Sequence, residues 1–339
     1  MLQATNGVMW DSVAAYRTAA ATSLADLSLI RDHGPLERGS IVAATVVRNE
    51  RSLVSSFLAH YRSLGVSRFL IVDNGSSDGT LDIIKAAPDV DLWTTSASYA
   101  AANQGRLWID GLLWSRARRR WILHVDADEF LVFVGMYKGG LRRLIGQLEW
   151  RRQRRLFAPM LDVYSDQPIR DTTIEMVGDP LSICNWFDGD AESTETNERG
   201  KWVVGGARRR LFFADEPERA PLLSKYPLVY YDKHTTFVDV HTPSPYRRNF
   251  LKPYGRLLHI KLHSGFDSGA RRAVAEKQHW ENSIEYRRYL EVLSASPQLK
   301  AHFPKSRRYD GPESVIAAGF MRDPKLCLRD VVMGIWRWY

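Results

Sequence analysis

Cysteine is almost absent from this 339-residue chain. Cys184 and Cys327 lie far apart and outside any CxxC or Cys/His spacing, so the sequence supports neither a disulfide framework nor a zinc site. Long apolar runs are also missing. No stretch reaches the ~18 apolar residues that a membrane span requires, and the first thirty residues lack the ordered regions of a secretory signal. We therefore expect a cytoplasmic protein, soluble or peripheral at the inner face of the membrane.

A glycine-rich phosphate loop is the third missing feature. The first predicted strand-to-helix connection runs from Val46 to Arg51 and contains no glycine. A dinucleotide-binding fold needs glycines there, because the pyrophosphate must approach the helix N-terminus closely. This absence argues against a dehydrogenase and, less strongly, against a Rossmann methyltransferase.

The composition is that of a globular protein with a basic surface. Hydrophobic residues make up 45% and charged residues 25% of the chain, which suits one large domain or two modest ones. The formal charge is +8. Such a balance favours an anionic partner, whether nucleic acid, anionic lipid or a phosphorylated small molecule, without choosing among them.

Hydrophobic periodicity divides the chain into regions. Residues 1–38 are predicted to be an Ala-rich helical lead. From Ile41, four strand-like runs alternate with helical patterns and end in WILHV, which predicts an α/β fold with a mostly parallel sheet flanked by helices. After Glu129 the pattern becomes irregular, with possible short strands at KWVVGG and RRRLFF, before a charged helix from Glu276 to Leu293.

An acidic cluster follows the last of these strands. Asp126 and Asp128 come directly after WILHV, where ligands bind in open α/β sheets. Side chains two apart on a strand share a face, so both carboxylates can converge on one hard cation such as Mg²⁺. The alternative is a solvated acidic turn that ends the strand.

Polar residues also follow two earlier strands. Asp73 ends the second strand, where a carboxylate can accept hydrogen bonds from a ribose or a base. Asn103, Gln104, Gly105 and Arg106 open the third helix, where side chains and free amides can face a diphosphate. A plain turn or helix cap is the alternative for each.

In order along the chain, the segments VVRNE, LGVSRFLIVDNGSSDGT, NQGR and HVDADEFL resemble the nucleotide-sugar half of a GT-A glycosyltransferase similar to family 2. Further segments, including MLDVYSD at 160–166 and QHWENSIEYRRYL at 278–290, resemble a bacterial branch of that group. The resemblance covers roughly residues 40 to 320. It implies a glycosyltransferase domain over 39–320, with a nucleotide-sugar half at 39–133 and an acceptor half at 134–320.

The resemblance implies transfer of a sugar, with inversion, from a nucleotide-diphosphate sugar to a glycan or lipid-linked acceptor. Mn²⁺ or Mg²⁺ would bind Asp126 and Asp128, while Glu50 and Asp73 would hold the nucleoside. A late histidine often completes the metal shell in such enzymes. Spacing alone cannot separate His259 from His263. The resemblance favours His259, because LLHIK is the matching segment, and leaves His263 as the runner-up. The further candidates for donor binding are Arg48, Gln104, Arg106 and Arg209.

The general base is the most open assignment. An inverting transfer needs a carboxylate or imidazole to accept the proton of the acceptor hydroxyl. His241 ranks first as a site residue, with Asp239 beside it in FVDVHTP, and the two share a face if that segment is extended. Asp162 and Asp188 are alternatives.

Residues 321–339 form a predicted amphipathic tail that mixes apolar, aromatic and cationic residues, which suits an anionic membrane surface. A tail helix packed on its own domain is the alternative.

Two other functions compete with the glycosyltransferase. A nucleotidyltransferase would share the sheet and the carboxylates. A nucleic-acid-binding module fits the charge but lacks a recognised motif, so we expect no nucleic-acid partner.

Overall fold

The structure is a computed structural model that describes residues 2–3, 9–10, 12–175, 178–190, 192–197, 200–239, 241–278 and 280–324. The predicted tail beyond residue 324 lies outside this part. None of the described helices combines the length and the apolar character needed to cross a bilayer.

The strands are numbered in chain order. They are β1 (Leu2–Gln3), β2 (Met9–Trp10), β3 (Ser28–Arg31), β4 (Val42–Val47), β5 (Arg68–Asp73), β6 (Val90–Thr94), β7 (Arg120–His124), β8 (Glu129–Val132), β9 (Met160–Tyr164), β10 (Trp186–Asp188), β11 (Ser193–Asn197), β12 (Gly200–Val204), β13 (Leu228–Tyr231), β14 (Arg256–Leu262) and β15 (Ser306–Arg308).

The α-helices are numbered in the same way. They are α1 (Val13–Thr22), α2 (Val54–Ser63), α3 (Thr80–Ala86), α4 (Arg106–Arg116), α5 (Gly140–Trp150), α6 (Gly206–Phe212), α7 (Gly265–Glu276), α8 (Trp280–Ala295) and α9 (Pro312–Ala317).

The first large sheet confirms the α/β prediction. Its order is β13-β7-β4-β5-β6-β3, and the four central strands run parallel while each edge strand is antiparallel. The central strands are rich in branched apolar residues, as expected for a sheet covered on both faces. This mostly parallel, helix-flanked sheet is compatible with a Rossmann-like nucleotide-binding fold.

Helix α2 shows how the sequence pattern builds the layers. Leu53, Phe57, Tyr61 and Leu64 recur at helical spacing, and all four side chains are buried. Such a stripe places one face of the helix on the sheet and leaves the other to solvent. The predicted contact face of this helix is confirmed.

A second sheet, of order β15-β10-β9-β14-β8, occupies the later half that the sequence left largely irregular. Strand β14 lies between β9, which is parallel to it, and β8, which is antiparallel. The register places His259 of β14 opposite both Asp162 of β9 and Glu129 of β8. Three ionisable side chains therefore lie side by side across the sheet.

Several predicted elements differ in the structure. The helical lead is wrong at Ser28–Arg31, which forms the edge strand β3 beside β6. Arg31 fixes this strand by donating to the carbonyl oxygens of Val90 and Lys85, a tertiary contact that local propensity does not reveal. The KWVVGG strand is confirmed as β12.

The later helices also depart from the prediction. The RRRLFF segment is helix α6 rather than a strand. The charged helix is α8, and α7 precedes it where no helix was predicted.

Candidate functional site

A cleft of about 1050 Å³ lies between the two sheets. The segments that follow β4 and β7 line one side, and α7 and α8 contribute to the other. Because the parallel strands all end at this edge, the cleft lies where open α/β sheets bind ligands.

Asp126 and Asp128 belong to the short turn that joins β7 to β8, and both line the cleft. They therefore do not alternate along a strand, as the sequence argument assumed. Oδ2 of Asp126 lies 3.2 Å from Nζ of Lys225, and Oδ2 of Asp128 lies 3.2 Å from Nε2 of His259. Burial opposes the charge of Asp128, but His259 and Lys261 outweigh it and hold the pKa of this carboxyl well below its usual range.

His259 is held between two carboxylates. Its Nδ1 lies 2.8 Å from Oδ1 of Asp162, on the opposite side of the ring from Asp128. Burial favours the neutral imidazole, but the charge of Asp128 more than compensates and raises the pKa of His259. His263 also lines the cleft, where burial lowers its pKa to about 4. The structure thus brings His259, the favoured candidate, into contact with Asp128.

Asp162 connects His259 to helix α6. Nε of Arg208 lies 2.9 Å from Oδ1 of Asp162 and 3.0 Å from Oδ2. Burial opposes the charge of Asp162, yet Arg208 and His259 hold the pKa of this carboxyl below its usual range. Asp162, proposed above as an alternative base, is therefore engaged as a partner of these two side chains.

Two lysines complete the inner part of the cleft. Lys225 is almost fully buried, and its Nζ lies 2.9 Å from Oε1 of Glu129 as well as close to Asp126. Nζ of Lys261 lies 3.6 Å from Oδ2 of Asp128. Sequence reasoning missed both lysines. The signal for Lys261 was its position two residues after His259 on a strand, which places both on one face.

Glu50 and Arg48 line the cleft from the connection after β4. Burial, followed by repulsion from Asp128, raises the pKa of Glu50 to about 8. Nη2 of Arg48 lies 2.7 Å from Oε1 of Glu276 at the end of α7. This ion pair connects the two sides of the cleft.

Asp73 is not among the described residues that line the cleft, although the next residue, Asn74, is. Oδ1 of Asp73 accepts hydrogen bonds from the backbone amides of Gly75 and Ser76, at 3.1 and 3.0 Å. Its Oδ2 is buried and finds no hydrogen-bond partner within the described chain. A buried carboxylate oxygen without a donor is costly, so this atom would accept a hydrogen bond from a ligand hydroxyl that reached it.

Gln104 and Arg106, two candidates for donor binding near the start of α4, differ in their position relative to the cleft. Gln104 lines the cleft, but Arg106 is not among the described residues that do so. Arg106 is buried and donates to Oδ1 of Asn103 and Oε1 of Gln104. Burial lowers its pKa. The predicted direct contact of Arg106 with the donor is not supported by this position.

Because the RRRLFF segment is a helix, Arg208, Arg209 and Arg210 point in different directions from those expected for a strand. Arg208, rather than the predicted Arg209, lines the cleft in the described part of the chain. Arg210 donates to Asp188 at 2.9 and 2.8 Å, and Tyr164 donates to the same carboxylate at 2.6 Å. Asp188 is thus committed to this network and is not a cleft residue of the described part.

Asp239 and His241 both line the cleft. They form a turn rather than an extended segment, because Oδ1 of Asp239 accepts hydrogen bonds from the amides of His241 and Thr242, at 2.6 and 3.2 Å. Nδ1 of His241 lies 2.9 Å from the carbonyl oxygen of Ser224. A carbonyl only accepts, so Nδ1 carries the proton and Nε2 is the free acceptor. Burial lowers the pKa of His241 to about 4.

The donor atoms near Asp128 suit a hard divalent cation. They combine carboxylate oxygens with an imidazole whose other nitrogen is held by a carboxylate. Among the described residues, however, no group of three or more His, Cys, Asp or Glu side chains is arranged as a metal site. Metal binding at this position stays a prediction.

Comparisons with known proteins show no family for this chain. No family model matches the sequence, and no curated protein matches it. One structurally similar chain is the crystal structure of 4-diphosphocytidyl-2C-methyl-D-erythritol synthase. It is 12% identical, the match covers 58% of this chain and 75% of that chain, and the TM-score is 0.27. A structural similarity with so low a TM-score gives no information about activity.

Proposed function

We propose that this protein is a glycosyltransferase of the GT-A type that transfers a sugar from a nucleotide-diphosphate sugar to a glycan or lipid-linked acceptor. The observation that carries the proposal is the set of acidic and basic side chains around Asp128, at the edge where the parallel strands end. His259 and Lys261 flank Asp128, while Arg48 lines the same cleft. Such a set suits a ligand with a polyanionic diphosphate and a polar sugar.

The donor nucleoside would bind on the side of β4 and β5. Oδ2 of Asp73 is buried without a hydrogen-bond donor in the described chain, which is the chemistry that a ribose hydroxyl or a base amine satisfies. Glu50 has a raised pKa of about 8 and can offer a protonated carboxyl or a carboxylate near neutral pH. These properties support the assignment of both residues to the nucleoside.

Asp126, Asp128 and His259 would hold Mn²⁺ or Mg²⁺. When bound, the cation would offset negative charge on the departing diphosphate. The surroundings of these three side chains favour cation binding. Asp162 orients the imidazole of His259, and neighbouring cations keep the carboxyls of Asp126 and Asp128 ionised.

His241 is the proposed base for the acceptor hydroxyl. Its contact with Ser224 leaves Nε2 unprotonated and able to accept a proton. Its lowered pKa keeps the imidazole neutral at physiological pH, although it also makes His241 a weak base. Asp239 would orient this turn through its backbone hydrogen bonds.

A binding screen tests the proposal. The full chain is titrated calorimetrically with nucleoside diphosphates and their sugars, with and without Mn²⁺. We expect one nucleotide series to bind, more tightly with the cation, and Asp128→Ala to lose that gain. Asp166→Ala, at an exposed position, is the matched control. Preferential binding of an oligonucleotide, with no response to nucleotide sugars, would overturn the proposal.

A further inference from the structure

We propose that Lys261 binds the diphosphate of the nucleotide sugar, whereas Lys225 is a fixed internal counter-ion that does not contact it. This inference rests on the proposed function and assigns a specific task to one side chain of the cleft. Both lysines lie beside the carboxylates that follow β7, so charge alone does not distinguish them. Their geometry does.

Lys225 also lines the cleft, but its ammonium group is already held by two carboxylates. Its Nζ lies 2.9 Å from Oε1 of Glu129 and 3.2 Å from Oδ2 of Asp126. The side chain is only 7% exposed. Two short ion pairs neutralise the ammonium group and hold it in place. Because Glu129 is itself buried, moving Lys225 toward a ligand would leave an uncompensated charge behind.

Lys261 is placed differently. Its Nζ lies 3.6 Å from Oδ2 of Asp128, which is beyond hydrogen-bond distance. The side chain is 25% exposed and lines the cleft. The ammonium group also donates a hydrogen bond to the hydroxyl of Tyr286, whose ring centre lies 5.6 Å from Nζ. Because an ammonium group has three N–H donors, Lys261 keeps donor capacity for a phosphate oxygen.

The position of Lys261 matches the charge that develops in the transfer. The bond between the anomeric carbon and the phosphate oxygen breaks, and its electron pair stays on the departing nucleoside diphosphate. The acceptor oxygen forms the new bond to the anomeric carbon and gives its proton to the general base. An ammonium group already fixed beside the leaving oxygen stabilises this charge without reorganisation. Lys261 therefore contributes most as the diphosphate departs.

The experiment compares ligands that differ only in their phosphates. UDP, GDP, CDP, ADP and dTDP are titrated into the full chain, and the tightest binder is then compared with its monophosphate and its nucleoside. In Lys261→Gln we expect the preference for diphosphate over nucleoside to fall at least tenfold, with nucleoside affinity unchanged. Lys261→Arg keeps the charge and retains most of the preference. Lys305→Gln, at a side chain 70% exposed, is the control and behaves like the wild type.

The outcomes separate the two proposals. If the wild type binds no nucleotide, the proposed function fails together with the role of Lys261. If the wild type prefers the diphosphate and Lys261→Gln keeps that preference, only the role of Lys261 is overturned. Lys261→Met is a second neutral variant that retains the apolar stem, in case the Gln variant does not fold. Equal loss of nucleoside and diphosphate binding would show a structural role and would also overturn the inference.

Discussion

Asp162 and His259 form a buried pair in which Oδ1 and Nδ1 lie 2.8 Å apart, on adjacent parallel strands. Because a carboxylate only accepts, Nδ1 carries a proton and the Nε2 edge of the ring faces Asp128. Asp162 thus orients the ring so that Nε2 faces Asp128. Because both ring nitrogens lie beside carboxylates and the pKa of His259 is raised, a cation would have to displace the proton on Nε2 to bind there.

We predict that Asp162→Asn weakens divalent-cation affinity about 10-fold to 100-fold, the usual effect of losing the partner of a metal-binding histidine. Calorimetric titration with Mn²⁺ measures this directly. Asp166→Asn is the control at an exposed position on the same segment. Unchanged Mn²⁺ affinity in Asp162→Asn would show that His259 takes no part in cation binding.

The first half of the fold was predictable because its signals are local. Apolar runs and helical stripes define β4 to β7 and α2, and the carboxyl ends of parallel strands must meet at one edge. That rule placed Asp126 at the carboxyl edge of the sheet. The assignment of Glu50 to the donor site came only from the resemblance to GT-A glycosyltransferases.

The later half depends on contacts between distant residues. Helix α6 reads equally well as a strand of alternating arginines, and only its ion pairs with Asp162 and Asp188 show how it is oriented. Lys225 comes from a segment without a regular pattern and reaches Asp126 across 99 positions. Local periodicity contains no information about such pairings.

Asp73 provides a second prediction. Asp73→Asn should weaken nucleoside diphosphate binding by about 1–3 kcal/mol, the scale of a lost charge-assisted hydrogen bond. An amide can still accept from the turn amides of Gly75 and Ser76, so we expect little change in the melting temperature. Calorimetry and a thermal melt measure the two effects. Equal affinity in variant and wild type would remove Asp73 from the nucleoside site.

The ion pair between Arg48 and Glu276 provides a third prediction. A donor phosphate would compete with Glu276 for the guanidinium group of Arg48. Glu276→Gln should therefore raise affinity for a nucleoside diphosphate by about twofold to fivefold, with less than about 1 kcal/mol change in stability, since the pair is partly exposed. Glu313→Gln is an exposed control. Weaker diphosphate binding in Glu276→Gln would contradict the competition.

The fourth prediction concerns stability and pH. Burial lowers the pKa of His60 to about 4, and its Nε2 lies 2.9 Å from the carbonyl oxygen of Leu131. The unfolded chain, with a histidine pKa near ~6.5, binds the proton first as the pH falls. The stability that buried, neutral His60 contributes to the folded state is therefore complete above about pH 6.5. It is lost as the pH falls toward 4.

Urea unfolding at several pH values tests this prediction. We expect the free energy of unfolding to fall by on the order of 2 kcal/mol from this residue between about pH 6.5 and 4. His60→Gln should reduce the pH dependence, while His234→Gln, at an exposed histidine, should leave it unchanged. Identical slopes for His60→Gln and the wild type would contradict the assignment.

The nucleotide released from a nucleotide sugar tests the central claim most directly. The full chain is incubated with Mn²⁺ and the nucleotide sugar that binds most tightly, and the products are separated by chromatography. The proposed activity predicts a nucleoside diphosphate and free or transferred sugar, at a rate that falls at least about 100-fold in Asp128→Ala but not in Asp166→Ala. Release of pyrophosphate in a parallel incubation that supplies a nucleoside triphosphate and a sugar phosphate instead, or an Asp128→Ala variant as active as the wild type, would contradict it.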